Sequence, residues 1–170
     1  MVRVPASATH AVRLAVLRKD TVSKAVAFAE DEWPGAVHLG VADAEAAGGE
    51  IVAVSSWIPR EAPHGCGDDG GGARGVQLRG MATVEGLQGR GLGGLLLEAG
   101  VAAAAEGGAG VVWANARDAA LPFYLRHGFA VAGAGFIESV TGLPHHVIVR
   151  QLLPAPAAAA APTAVAARAE

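Results

Sequence analysis

A mixed α/β domain is predicted by three features of the sequence. A strand-like run, Val76 to Val84, leads through a glycine-rich junction into an apolar helical stretch from Leu92, and a second strand-like run, Val111 to Asn115, follows. That order reads as a strand–helix–strand crossover whose two strands lie parallel in one sheet. Ahead of it, Ala36 to Ala42 and Ile51 to Ile58 are β-type runs separated by Asp43 to Glu50, whose acids and paired glycines read as a hairpin turn. Finally, 170 residues are enough for one domain with a sizeable core and too few for two ordinary ones.

Taken in order, Ala11 to Leu17 alternates and reads as a first strand. Asp20-Thr21 offers an N-cap for a helix over Val22 to Glu30, which stops near Trp33-Pro34-Gly35. The acidic run Glu30-Asp31-Glu32 reads as the solvated end of that helix; its functional alternative is attraction of a polyamine or basic peptide. The hairpin strands then feed Val76 to Val84, where Gly80 hints at a bulge. Between them, Pro59 to Gly75 is glycine-rich with too little apolar content to pack, and is expected to be a mobile connection. A substrate lid, in which Glu61, His64, Asp68 and Asp69 meet a cation, is the alternative, and Cys66 within it is incidental. The helix from Leu92 carries Leu92, Leu95, Leu96 and Ala99 on one face and stops at Gly107-Gly108. Val111 to Asn115 reads as a buried parallel strand and Arg117 to Arg126 as the next helix. Phe129 to Phe136 and Pro144 to Leu152 form a last antiparallel pair. From Pro154 the chain is alanine- and proline-rich, so residues 1–153 are assigned to the domain and 154–170 to a disordered tail.

The junction Gln88-Gly89-Arg90-Gly91-Leu92-Gly93-Gly94 carries the chemistry. Glycines let the backbone approach a ligand, and the first amides of a helix lack intrahelical partners, so they act as anion donors. Arg90 adds a positive charge, and the physical reading is a pyrophosphate seat. The P-loop of nucleotide hydrolases closes on Lys-Ser or Lys-Thr, where this chain has Gly93-Gly94. Gly89, Gly91 and Gly94 do spell the dinucleotide GxGxxG, but the following strand lacks the acid that would hold a ribose, and the further strand–helix repeats are absent.

The loop Gln88-x-x-Gly91-x-Gly93, after a strand reading Leu78-Arg79-Gly80-Met81-Ala82-Thr83-Val84, resembles motif A of the GNAT superfamily of N-acetyltransferases. Phe123-Tyr124-Leu125-Arg126-His127-Gly128-Phe129 resembles the family's second signature. Phe136-Ile137-Glu138 with Gly142-Leu143-Pro144-His145 is similar to the last segment of a subgroup of small bacterial acetyltransferases. The resemblance spans most of Ala11 to Leu152. It implies a single-domain GNAT fold, a central, mixed, mostly antiparallel twisted sheet flanked by helices, with a splayed parallel strand pair. It also implies acetyl-CoA as co-substrate, held by Gln88, Gly89, Arg90, Gly91, Leu92, Gly93 and Gly94 at the pyrophosphate. The backbone of Met81, Ala82, Thr83 and Val84 would pair with the pantetheine arm and face the thioester oxygen. Asn115, Arg117, Phe123 and Arg126 complete the implied coenzyme contacts; Arg117 stands where the family often has asparagine, and Arg126 is implied near the adenosine phosphates.

Acyl transfer from a thioester to an amine needs a neutral amine, an oxyanion stabiliser and a proton for the leaving thiolate. By resemblance Tyr124, the only tyrosine, protonates the sulfur; a phenol near 10 is close to a thiol near 8.5. Its structural alternative is a core aromatic beside Phe123. Glu138 is the leading general base, its apolar neighbours being expected to raise its pKa. Glu85, just past the strand, is the second candidate, with helix-dipole compensation as its alternative. His145 is expected to orient the substrate, with His146 on the opposite face.

A net charge of −3 gives no basic footprint for nucleic acid or an anionic membrane, so a small-molecule or peptide amine is the expected partner. Mean hydropathy of +0.36 comes from alanine and valine, and no run reads as a membrane span or signal peptide. One cysteine excludes an internal disulfide, no metal pattern is present, and the cytoplasm is the expected location. Exposed strand edges admit a homodimer. The competing function is a noncatalytic sensor that binds coenzyme A or a nucleotide through the same loop.

Overall fold

Among the residues that the computed structural model describes, 1–43, 48–63, 65–66 and 74–152, seven strands form one sheet. They are β1 (Val2–Arg3), β2 (Val37–Ala42), β3 (Ile51–Pro59), β4 (Gly75–Thr83), β5 (Val111–Arg117), β6 (Ala130–Ile137) and β7 (Pro144–Gln151). The spatial order is β1-β2-β3-β4-β5-β7-β6. Every neighbouring pair is antiparallel except β4 and β5. This is the mixed, mostly antiparallel α/β sheet the sequence predicts. His64, Asp68, Asp69 and the tail from residue 154 lie outside the described residues, so the lid and tail expectations are not addressed.

Two irregularities of β4 position the site. Opposite Ser55 of β3, β4 places both Gly80 and Met81, a bulge made possible by Gly80 at φ 58°. On its other edge, β4 pairs with β5 only from Gly75–Val111 to Gln77–Trp113. Both strands continue past that point unpaired with each other, so their C-terminal halves splay. Helix α2 (Leu92–Glu106) lies over the sheet and buries Leu96, Leu97, Gly100, Val101 and Ala104 against a core that includes Trp57, Leu78 and Val112. The buried face is therefore rotated from the expected one. Leu95 is 50% exposed and lines a cleft, because the helix turns that side toward the glycine loop rather than the sheet.

The N-terminal third departs from expectation by one element. Ala11 to Leu17 is helical, not a strand: a 3-10 turn (Ala6–Thr9) leads into α1 (His10–Val12) and a π turn (Arg13–Leu17). The alternation of Val12, Leu14 and Val16 does not sort them by face. Val12 and Arg13 are buried, Val16 and Leu17 are half-buried and Leu14 is exposed, which is the spacing of a helix. The opening strand is β1, paired with β2. Val22 to Glu30 forms no helix. Its carbonyls are taken by side chains instead: Arg18 Nε donates to Ala25 O at 2.8 Å and Arg13 Nη1 to Val26 O at 2.8 Å. Helix α3 (Leu121–Arg126), preceded by a 3-10 turn (Asp118–Ala120), replaces the single helix expected over Arg117 to Arg126. No helix among the described residues is long and apolar enough to cross a membrane.

The acidic run is not a solvated helix end. Asp31 forms an ion pair with Arg13 at 2.7 Å, both almost fully buried, and Arg13 Nη2 also reaches Ser56 Oγ at 2.5 Å. Glu30 is held between Arg60 at 3.0 Å and Arg79 at 2.6 Å. Only Glu32 of the three is exposed.

Candidate active site

The junction between β4 and α2 opens onto a cleft of about 940 Å³. Gln88, Gly89, Gly91, Leu92, Gly93 and Gly94 line it, together with Met81, Ala82, Thr83, Phe123 and Tyr124. Gly89 and Gly91 stand at φ 76° and 82°, a left-handed conformation that side chains resist. Gly91 is the N-cap of α2 and supplies no side-chain cap, so the amides of the first turn face the cleft without a protein partner on that side. A Cβ at Gly89 or Gly91 would meet nothing within 4 Å, which places both on open space. Free amides at the end of a 15-residue helix, with glycine backbone exposed around them, suit a pyrophosphate. Gln88 braces the loop by donating from Nε2 to Thr83 O at 3.0 Å.

At the end of β4, Val84 donates its N–H to Val52 O of β3 at 2.9 Å. Successive amides of a strand point to opposite edges, so Thr83 directs its N–H toward the edge that β5 has left. Val84, expected beside the pantetheine, is thus spent on the sheet and does not line the cleft.

A second cavity, of about 560 Å³, lies in the splay between β4 and β5. Arg79, Gly80, Asn115, Arg117, Arg18, Glu138 and His145 are among its lining residues. The two cavities share Met81, Ala120 and Tyr124. Tyr124 is buried, edge-on to Phe123 and Phe129, and among the described residues its hydroxyl has only Met81 Sδ, at 3.9 Å, as a hydrogen-bond partner. Burial pushes the phenol up to about 12.

Glu138 lines the second cavity but is not the raised-pKa carboxylate expected from its neighbours. Burial acts to raise it, yet Oε2 accepts from Val140 N–H at 3.1 Å, Thr141 N–H at 2.9 Å and Thr141 Oγ1 at 3.0 Å. With the charge of His145 these outweigh burial and hold the carboxyl below its usual value. His145 Nδ1 bonds Leu143 O at 2.8 Å and its ring stacks on Phe136, while His146 turns away to Asp118 at 2.8 Å, the opposite-face arrangement expected of a strand.

Five other predicted residues fall elsewhere. Glu85 is exposed, bound to Lys19 at 2.8 Å, and lines neither cavity. Arg90 and Arg126 are exposed and outside the lining of the cleft. Asn115 and Arg117 line the second cavity rather than the first, and Arg117 Nη2 donates to Leu17 O at 2.9 Å. Conversely, His127, Glu98 and Leu95 line the cleft without having been singled out. His127 and Phe123 are one helical turn apart and their rings lie 4.7 Å from each other, so the spacing carried the signal for that residue. His127 bonds Glu98 at 3.0 Å, and Arg150 bonds the same carboxylate at 3.0 Å. Arg18 in the second cavity had no signal in the sequence.

A glycine loop at a helix N-terminus lines one cavity, and a second cavity meets it at one buried tyrosine. Residues 25–131 match the family model of the acetyltransferase (GNAT) domain, and the chain belongs to the GNAT acetyltransferase family. It is 28% identical over 145 residues to the uncharacterized N-acetyltransferase YitI of Bacillus subtilis (strain 168), covering 85% of this chain and 90% of that one. Among solved structures, Escherichia coli ElaA shares the fold with a TM-score of 0.65 at 18% identity, covering 85% and 88% of the two chains. An aminoglycoside 6'-N-acetyltransferase complexed with coenzyme A does so with a TM-score of 0.64 at 14% identity, covering 92% and 99%.

Proposed function

We propose that this protein is an acetyl-CoA-dependent N-acetyltransferase that passes the acetyl group directly to a primary amine of a small molecule or peptide. The observation that carries the reading is the meeting of the two cavities at Tyr124. Acetyl-CoA takes the cleft, with its pyrophosphate on the amides following Gly91 and its thioester beside Thr83. The acceptor takes the splay between β4 and β5. Its amine nitrogen attacks the thioester carbonyl, a C–N bond forms and the C–S bond breaks. The amine attacks in its neutral form; Glu138, ionised at neutral pH, accepts through water the proton that the adduct nitrogen sheds as the C–S bond breaks, and the thiolate leaves toward the Tyr124 hydroxyl. A phenol near 12 stays protonated, but full transfer to a thiol near 8.5 is uphill, so Tyr124 acts mainly as a hydrogen-bond donor to the departing sulfur.

The test is calorimetric titration with acetyl-CoA, NAD and ATP of the wild type and Gly91→Glu, whose side chain would place a carboxylate at the phosphate seat. Acetyl-CoA is expected to bind selectively and the variant to weaken it at least about tenfold, a loss of about 1.4 kcal/mol. Coenzyme A release on adding amines then separates an enzyme from a sensor. Failure of acetyl-CoA to bind the folded wild type would sink the reading.

A further inference from the structure

The charges around the second cavity identify the kind of amine it takes; the argument rests on the acetyltransferase reading above. Of the three arginines there, Arg79 is already neutralised by Glu30 at 2.6 Å, with its guanidinium 4.3 Å from the Phe28 ring centroid. The other two arginines, Arg18 and Arg117, form no salt bridge among the described residues. Each is fixed by one bond to a backbone carbonyl, Arg18 Nε to Ala25 O at 2.8 Å and Arg117 Nη2 to Leu17 O at 2.9 Å. Those bonds orient the two guanidiniums and leave their remaining N–H groups for a ligand. Both line the same cavity, where after desolvation Arg117 is the largest influence lowering the pKa of Arg18 and Glu138 opposes it. Two neighbouring half-buried cations repel until an anion sits between them.

Glu138 supplies the opposite pole. Its Oε2 accepts all three bonds from Val140 and Thr141, and Oε1 has no hydrogen-bond partner among the described residues. A carboxylate that lines the same cavity as two guanidiniums without a salt bridge matches a molecule carrying both charges.

We propose that the acceptor is an amine that also bears an anionic group, a carboxylate or a phosphate, with its ammonium on Glu138 and its anion held by Arg18 and Arg117. A cavity of about 560 Å³ fits a zwitterion of amino-acid or dipeptide size. A polycationic acceptor is disfavoured, because Arg18 and Arg117 would oppose its additional ammonium groups.

The experiment measures kcat/KM for coenzyme A release with the standard α-amino acids, their carboxamides, their decarboxylated amines and O-phosphoethanolamine. At least one anionic acceptor should exceed its uncharged counterpart by about tenfold or more, the scale of a charge-assisted bidentate contact. Preference for amino acids assigns the anion as carboxylate, and preference for O-phosphoethanolamine as phosphate. In Arg117→Gln and Arg18→Gln the ratio of anionic to uncharged acceptor should collapse toward one through a rise in KM, and Arg117→Lys should keep most of it. Melting temperatures establish that the variants are folded. Preference for amides or decarboxylated amines, an unchanged ratio in both glutamine variants, or no turnover of any anionic acceptor overturns the acceptor assignment alone, provided acetyl-CoA binds. Failure of acetyl-CoA itself to bind overturns this proposal together with the reading it rests on.

Discussion

Tyr124 and Glu138 separate chemistry from architecture at the level of single residues. Removing the Tyr124 hydroxyl costs the fold little, since its one contact is a sulfur at 3.9 Å and the ring stays packed between Phe123 and Phe129. Tyr124→Phe is therefore expected to lower kcat by about 10²-fold, the lower range for a positioned proton donor, with acetyl-CoA affinity and melting temperature near wild type. A merely structural tyrosine would leave kcat unmoved in a steady-state assay. Glu138 makes a prediction in pH. Its folded pKa is depressed, so its carboxylate is present from neutral pH down to below the usual carboxylate value. Glu138→Gln should then depress kcat/KM across the neutral range, and the deficit should close only as pH falls below about 4.5. The rise of activity with pH above that belongs to deprotonation of the acceptor amine. A pH–rate profile with a Glu138-dependent limb near 7 would contradict this assignment.

At the level of elements, what could be read in the sequence followed the glycines and the local period. The bulge at Gly80, the cap at Gly91 and the stop at Gly108 are all positive-φ glycines, and each marks an element boundary or break that composition revealed. The hairpin strands, the crossover helix and the final antiparallel pair fell where their patterns placed them. The N-terminal third did not, because its stability comes from side chains reaching across sequence: Arg13 lies 18 residues from Asp31 and 43 from Ser56. No local window contains such pairs, and a buried arginine looks like a surface one in a sequence. The two cavities were half legible for the same reason. The loop proposed to seat a pyrophosphate is contiguous, whereas the proposed acceptor cavity gathers Arg18, Arg79, Arg117 and Glu138 from four distant segments. One glycine belongs to packing between elements. A Cβ at Gly100 would fall inside the ring of Trp57, so α2 rests on β3 by having no side chain there. Gly100→Ala gains helix propensity of about 1 kcal/mol but forces the helix off the sheet, and overpacking costs typically 1–3 kcal/mol. A lower urea midpoint is expected, with acetyl-CoA affinity reduced as the glycine loop shifts with its helix. A stabilised protein would show that Trp57 can rotate away freely.

For the whole molecule, the network centred on Arg13 ties three regions that share no regular element. The N-terminal helical turn supplies Arg13, the irregular segment supplies Asp31 and Phe28, and the central sheet supplies Ser56 and His38, whose Nδ1 lies 2.7 Å from Ser56 Oγ. The Arg13 guanidinium also lies over the Phe28 ring, 4.2 Å from its centroid, and next to Gly80 at the bulge. The bulge that shapes the site thus packs against a buried cation, and that cation is paired with Asp31. Burial acts to raise the Asp31 pKa, but bonds from Arg13 and from Phe28 N–H outweigh it and hold the carboxyl below its ordinary value. A depressed folded pKa contributes stability that is present above the unfolded carboxylate range near 3.9 and lost as pH falls through the folded value. Asp31→Asn leaves the guanidinium buried without its counter-charge, a change that costs about 3–5 kcal/mol at pH 7. Urea unfolding at pH 7 should show that loss, and the gap between wild type and variant should narrow as pH is lowered below about 4. Because the same guanidinium packs against the bulge, the variant should also lose turnover before it loses acetyl-CoA binding. Equal stability of the two proteins at pH 7 would mean that Arg13 finds another partner.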